Sequence, residues 1–250
     1  MSNSRHLDDE PAVRGYAVTH PPGVAEVRIQ DGWDQLLYTA RGVLTVRSPH
    51  GVWTIPPDRA LWVPAGERVV MINRRPVAVR ALYLPAASVN RPGTGVLGVP
   101  AFGRALLLHV VANCPLSADR PVHRALGTIL LDELRRWSEA PLGLPLPADP
   151  RGQAFAEVAR LSSNPSDVLA RTVGTSVRTL ERIFSGETGL GLGAWRRRAA
   201  ILASLDTLLA TGSVTDAAMA AGYSTPSAYI TAFRRELAAT PGSYLRASAA

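Results

Sequence analysis

The sequence has 250 residues, 46% hydrophobic and 19% charged, which is enough apolar content for packed cores in two modest domains. Its net charge is +7 and all 27 basic residues are arginine, a side chain suited to phosphate and guanine contacts, although a GC-rich genome yields the same usage. The single cysteine, Cys114, excludes an internal disulfide framework and any multi-cysteine zinc site.

Residues 1–20 are polar at the start and show no periodicity, so they read as a flexible arm or a loose first strand. MSNSRHLDDE lacks the apolar stretch of a signal peptide, and no later run approaches the roughly 18 apolar residues of a membrane span. A cytoplasmic protein without membrane contact is expected. From Val24 the pattern becomes β-type. Residues 35–40, 43–47, 52–55, 60–63, 68–72 and 77–84 are short runs rich in β-branched and aromatic side chains, separated by Gly/Pro turn signals. Such spacing predicts a small antiparallel barrel or jelly roll.

After the Gly/Pro-rich residues 90–100 the pattern turns helical over 102–113 and 120–137. The second of these carries Val122, Leu126, Ile129, Leu130, Leu134 and Trp137 at spacings of three and four, an apolar stripe that must be covered by the barrel or by a second copy in a homodimer. Four prolines in residues 140–150 mark an extended linker. The expected organisation is α+β: a β-barrel over 1–100, a helical packing or dimerisation segment over 101–139, the linker over 140–150 and an all-α unit over 151–250.

The all-α unit repeats one short helical pattern. DVLARTVGTSVRTLERIF and VTDAAMAAGYSTPSAYITAFRREL each hold a small first helix, a break at Gly174 or Gly222, and a second helix capped by Ser176 or Thr225. Asn164 and Pro165 are read as N-cap and first residue of the helix before Gly174. The second helices are the candidate recognition helices, joined by a helix of about 19 residues, which spans about 28 Å at 1.5 Å per residue. Adjacent major grooves on one face of a duplex recur about every 34 Å. One chain is therefore expected to read two grooves of double-stranded DNA. The first reader turns Arg178, Glu181 and Arg182 outward, suited to guanine, cytosine N4 or phosphate. The second turns out Ser227, Ile230, Thr231 and Arg234, a less charged surface suited to backbone anchoring.

These residues also carry a resemblance. The run Ser-x-Arg-Thr-Leu-x-Arg-x-Phe from Ser176 to Phe184, the Gly222-Tyr223 turn and the closing Thr240-Pro241-Gly-x-Tyr-x-Arg resemble the tandem helix-turn-helix domain of AraC/XylS transcription regulators across residues 155–246. Ala217 stands where the family prefers Ile, and Ala238-Ala239 replaces the usual Phe-Gly. The resemblance implies base contacts from Arg178, Glu181 and Arg182, and from Pro226, Ser227 and Thr231; Ser176, Thr179, Arg234 and Arg235 complete the expected DNA-contacting set. Residues 33–66 resemble the cupin-type sensor of some of these regulators. The family's usual histidines are replaced by Gln30-Asp31-Gly32 and Glu67-Arg68-Val69.

His6, His20, His50, His109 and His123 show no metal-ligand pairing, so no metal and no cofactor are expected. Trp33, Tyr38, Trp53 and Trp62, with Arg80, are the candidate effector-binding residues of the barrel; plain core packing, and a solvent-facing Arg80, are the alternatives. Phosphate loop, nucleophile elbow and paired catalytic carboxylates are missing, so no enzyme is expected. The reading is an effector-responsive regulator, with RNA polymerase as a further partner if it activates. A cupin-fold enzyme or a protein-interaction module with a helical appendage is the alternative.

Overall fold

The computed structural model describes residues 12–27 and 31–249; His6 and Gln30 lie outside the described residues. Ten strands are described: β1 (Arg14–His20), β2 (Gly23–Glu26), β3 (Trp33–Arg41), β4 (Leu44–Ser48), β5 (Gly51–Ile55), β6 (Arg59–Val63), β7 (Val70–Asn73), β8 (Val77–Pro85), β9 (Gly95–Gly98) and β10 (Gly143–Pro145). They form two five-stranded sheets, ordered β1-β8-β3-β6-β9 and β10-β5-β4-β7-β2, with antiparallel pairings throughout. The expected barrel thus takes the form of two packed sheets.

Strands β3, β6 and β8 are apolar on both faces because both faces are covered. Trp33, Leu37, Leu61, Val63, Val79, Ala81 and Tyr83 belong to the core that includes the second sheet. Leu36, Tyr38, Ala60, Trp62, Leu82 and Leu84 pack instead with helices α1 (Ala101–Asn113) and α2 (Pro121–Arg136). Continuous apolar runs, in place of strict alternation, are the sequence trace of this double burial. Strand β1 pairs with β8 along its whole length, from Arg14↔Tyr83 to His20↔Val77. Of the arm and the loose first strand expected here, residues 14–20 form the strand; its exposed positions, such as Tyr16 and Ala17, blur its periodicity.

The stripe expected on α2 is covered only in part. Leu130, Leu134 and Trp137 are buried, whereas Val122 is 66% exposed and Ile129 44% exposed. The buried face runs through His123, Gly127, Leu130 and Leu134, rotated off the apolar stripe in the first half of the helix. His123 is tied there by Nδ1, which accepts the Ser117 N–H at 3.1 Å. Gly103 lets α1 approach the end of α2, since a Cβ there would lie 2.5 Å from the Trp137 ring.

The segment expected as the linker, residues 140–150, is docked. Gly143–Pro145 adds an edge strand to β5, Trp195 Nε1 donates to the Pro145 carbonyl at 2.7 Å, and Arg198 Nε donates to that of Gly143 at 2.8 Å. One core accordingly runs from the sheet interior through Leu142 and Leu144 to Phe155, Phe184 and Trp195. Beyond it lie α3 (Pro150–Ala159), α4 (Ser166–Thr172), α5 (Val177–Thr188), α6 (Leu192–Thr211), α7 (Val214–Ala220), α8 (Pro226–Leu237) and α9 (Pro241–Ala249). Pro165 occupies the N-cap of α4, one position later than expected, because Asn164 is taken up in a turn whose N–H is held by Ser162 Oγ at 3.2 Å.

Candidate nucleic-acid interface

Helices α4 and α5 form one helix-turn-helix and α7 and α8 the other. Gly174 and Gly222 have φ of +66° and +78°, the left-handed conformation that each turn requires and that glycine alone adopts without strain. Each second helix is then started by a side-chain cap. Ser176 Oγ accepts from Thr179 N at 3.2 Å and Thr225 Oγ1 from Ala228 N at 3.3 Å, satisfying donors that the helix leaves open. Behind the caps, Leu180, Ile183 and Phe184 of α5 and Tyr229, Phe233 and Leu237 of α8 are buried. Edge-to-face rings lock both: Phe184 against Trp195 at 4.9 Å, and Phe233 against Tyr244 of α9 at 5.7 Å.

The opposite faces are open. Arg178 and Arg182, one turn apart on α5, are exposed and have no ion-pair or hydrogen-bond partner among the described residues. Glu181 is exposed between them, but its Oε2 accepts the Leu192 N–H at 3.1 Å. This carboxylate thereby caps the first turn of α6. On α8, Pro226, Ser227, Ile230, Thr231 and Arg234 are exposed; Thr231 Oγ1 donates to the Ser227 carbonyl at 3.0 Å, and Arg235 is drawn to Glu236 at 3.3 Å. Ser176 and Thr179 hold each other at the start of α5, with their hydroxyls 2.9 Å apart. The spacer α6 has 20 residues, or about 30 Å.

The family described as a helix-turn-helix domain matches residues 169–247, the segment that holds both units. That segment is an AraC-type helix-turn-helix domain. The chain is 27% identical over 215 residues to the HTH-type transcriptional regulator NimR of Escherichia coli (strain K12), covering 84% of this chain and 79% of that one. It is 34% identical over 105 residues to the HTH-type transcriptional regulator RipA of Corynebacterium glutamicum, covering 40% and 31%. Among solved structures, the DNA-binding domain of AdpA in complex with a target DNA aligns with 40% of this chain and 92% of its own at 29% identity and a TM-score of 0.35. ToxT from Vibrio cholerae O395 aligns with 94% and 97% at 10% identity and a TM-score of 0.38. With regulators as its relatives and this domain at its C-terminal end, the chain is a DNA-binding transcription regulator.

The five candidate effector residues do not converge. Trp33 and Trp53 belong to the inter-sheet core, whereas Tyr38 and Trp62 lie under α1 and α2. Arg80, two residues from Leu82 on the same face of β8, donates to the Val79 carbonyl at 3.2 Å. Tyr38 is committed to Asp58 at 2.9 Å. Another cavity, of about 370 Å³, opens between the sheets and is lined by Arg14, Tyr16, His20, Glu26, Met71 and Tyr83. Arg14 stacks over the Trp33 ring at 4.3 Å, and burial lowers the pKa of His20. Three of these residues lie on β1, where the sequence shows no periodicity. Among the described residues no group of His, Cys, Asp or Glu is placed to hold a metal, and no helix is long and apolar enough to cross a membrane.

Proposed function

We propose that α5 and α8 enter successive major grooves of one duplex, with the sheets as a sensor that sets how the two readers are presented. The observation that carries this is the pairing of two capped, core-locked helices with open outer faces at the ends of a rigid spacer. Arg178 and Arg182 are the base-reading side chains, able to contact guanine bidentately. Ser176 and Thr179 lie at the phosphates by the start of α5. Pro226, Ser227 and Thr231 supply contact area from α8, and Arg234 and Arg235 neutralise phosphate at its rear. In this reading residues 1–100 are the sensor, 101–139 its helical layer, 140–150 the docked connector and 151–250 the reader.

A small-molecule effector would occupy the cavity beside Arg14, His20 and Glu26, whose lining includes none of Trp33, Tyr38, Trp53, Trp62 and Arg80. It acts only by binding one docked arrangement of sensor and reader better than another. The open half of the α2 stripe, at Val122 and Ile129, together with Phe102 on α1, is the surface on which a homodimer would form. RNA polymerase is a partner if the chain activates. Selection of bound duplexes from a random pool, repeated with the Arg178→Ala/Arg182→Ala variant, tests the reading. A site with two contacted segments one helical turn apart supports it; unchanged selection by the variant overturns the assignment of α5.

A further inference from the structure

A second large groove runs along α6, and its position follows from the helix itself. Trp195, Arg198, Leu202 and Asp206 share one side of α6 and face the sheets: Trp195 and Arg198 bond to the β10 backbone, Leu202 lines a cavity with Val52 and Leu144, and Asp206 pairs with Arg75 at 3.3 Å. Gly193, Arg197, Ala200 and Thr207 share the opposite side, and they floor a groove of about 460 Å³. At one end Gly193 follows Leu192, whose N–H is held by Glu181 of the first reader. At the other, Gly222 and Tyr223 lead into Thr225, the cap of the second reader. The groove therefore runs beside α6 from the end of the first reader to the cap of the second, and the sheet unit reaches it through Arg74.

Its lining is cationic and hydroxylated. Arg74, Arg160, Arg196 and Arg197 line it together with Ser162, Ser163 and Ser166, and no carboxylate does. Arg196 is already used, bonding Ser166 Oγ at 2.9 Å and the Asn164 carbonyl at 2.6 Å to shape the α3–α4 turn. The guanidinium groups of Arg74, Arg160 and Arg197 have no hydrogen-bond partner among the described residues. Burial lowers the pKa of Arg160; Glu157 opposes this and the charges of Arg47 and Arg74 add to it. An anion on this wall would relieve the repulsion. Arg74 differs from the others in belonging to the β7–β8 turn of the sheet unit. It is held at the groove by its neighbour Arg75 through the pair with Asp206.

We propose that this groove is a phosphate channel for the duplex backbone between the two readers, and that Arg74 makes the sensor unit a direct part of the DNA interface. The inference rests on the two-groove reading above. It gives the sensor a physical handle on the duplex, since any movement of the β7–β8 turn adds or removes a phosphate contact.

The test is the salt dependence of binding to a random-sequence duplex of about 30 base pairs, long enough for successive grooves spaced about 34 Å apart. Full-length wild type is compared with Arg74→Ala, Arg74→Lys, Arg160→Ala, Arg197→Ala and, as a charge-matched control, Arg41→Ala, an exposed arginine off the groove. Each lost phosphate contact reduces the log–log salt slope by about 0.9, so over a fourfold rise in salt wild type loses about 3.5-fold more affinity than Arg74→Ala. Arg74→Lys should restore most of the slope, which a merely structural role would not require. A slope for Arg74→Ala equal to those of wild type and Arg41→Ala overturns the inference, including the case in which Arg74→Ala weakens only the binding of inorganic pyrophosphate. Wild type that binds duplex without salt dependence instead overturns the DNA reading itself.

Discussion

Glu181 Oε2 lies 3.1 Å from the main-chain nitrogen of Leu192, so the first reading helix supplies the N-terminal cap of the helix that spaces the two readers. A carboxylate at that point satisfies an open N–H and faces the positive end of α6. Glu181→Ala should cost about 1 kcal/mol, read as a lower thermal midpoint. It should weaken binding to all duplexes alike. Relaxed selection at a single base position, with stability unchanged, would return Glu181 to base reading.

Arg178 and Arg182 behave differently, because they are exposed and their side chains have no ion-pair or hydrogen-bond partner among the described residues. Each Ala substitution should leave the thermal midpoint within error and cost about 1–3 kcal/mol of affinity for a selected site. Competition between selected and random duplex is the measurement. Equal losses on both would make them phosphate contacts only.

Ser176 tests the construction of the reader from the other side. Its Oγ caps α5, and Ser176→Ala should destabilise by about 1 kcal/mol, Ser176→Gly by only a few tenths. Chemical denaturation separates the two. Identical costs would mean that the cap contributes nothing.

Three tyrosines set an alkaline limit. Burial is the first cause that pushes Tyr38, Tyr229 and Tyr244 up to about 12. An unfolded tyrosine titrates near 10, so above that pH the unfolded state releases protons that the folded state keeps. Their contribution is whole below pH 10 and is lost between about 10 and 12. Thermal midpoints should fall steeply across that window, with tyrosinate absorbance appearing together with unfolding. Full tyrosinate absorbance in a still-folded protein would contradict this.

Cys114 should be nearly inert. Burial pushes its thiol up to about 11, leaving about one part in a thousand as thiolate at pH 8. As the only cysteine in the sequence, it gives a clean readout: slow reaction with a disulfide reagent in the native state, and ordinary reaction in denaturant.

The helical half was legible in sequence because its signals are local. Ser176, Thr225, Gly174 and Gly222 act within a few residues of themselves, and the apolar spacing of Leu180, Ile183 and Phe184 marks the core face directly. The sheet half was legible in its strand runs, but less so in what faces what. Trp33 and Tyr38 look alike in a continuous apolar strand, and only the covering of both faces assigns one to the inter-sheet core and the other to the helical layer. Strand β1 was legible only as an alternative to an arm, because its partner β8 lies some 60 residues away and several of its own side chains face solvent. Glu181 shows the same limit at one residue: nothing in its spacing distinguishes an acceptor for a base from a cap for the next helix, since Leu192 comes within reach only when α5 folds back on α6.

One chain is proposed to seat two readers in successive major grooves. The most direct measurement is footprinting of a selected site bound by the full chain, at concentrations where one chain is bound per duplex. Two protected major-groove segments centred about 10 base pairs apart are expected, the α5 segment lost on Arg178→Ala/Arg182→Ala and the other retained. A single protected segment, or loss of both segments together without loss of folding, would contradict it.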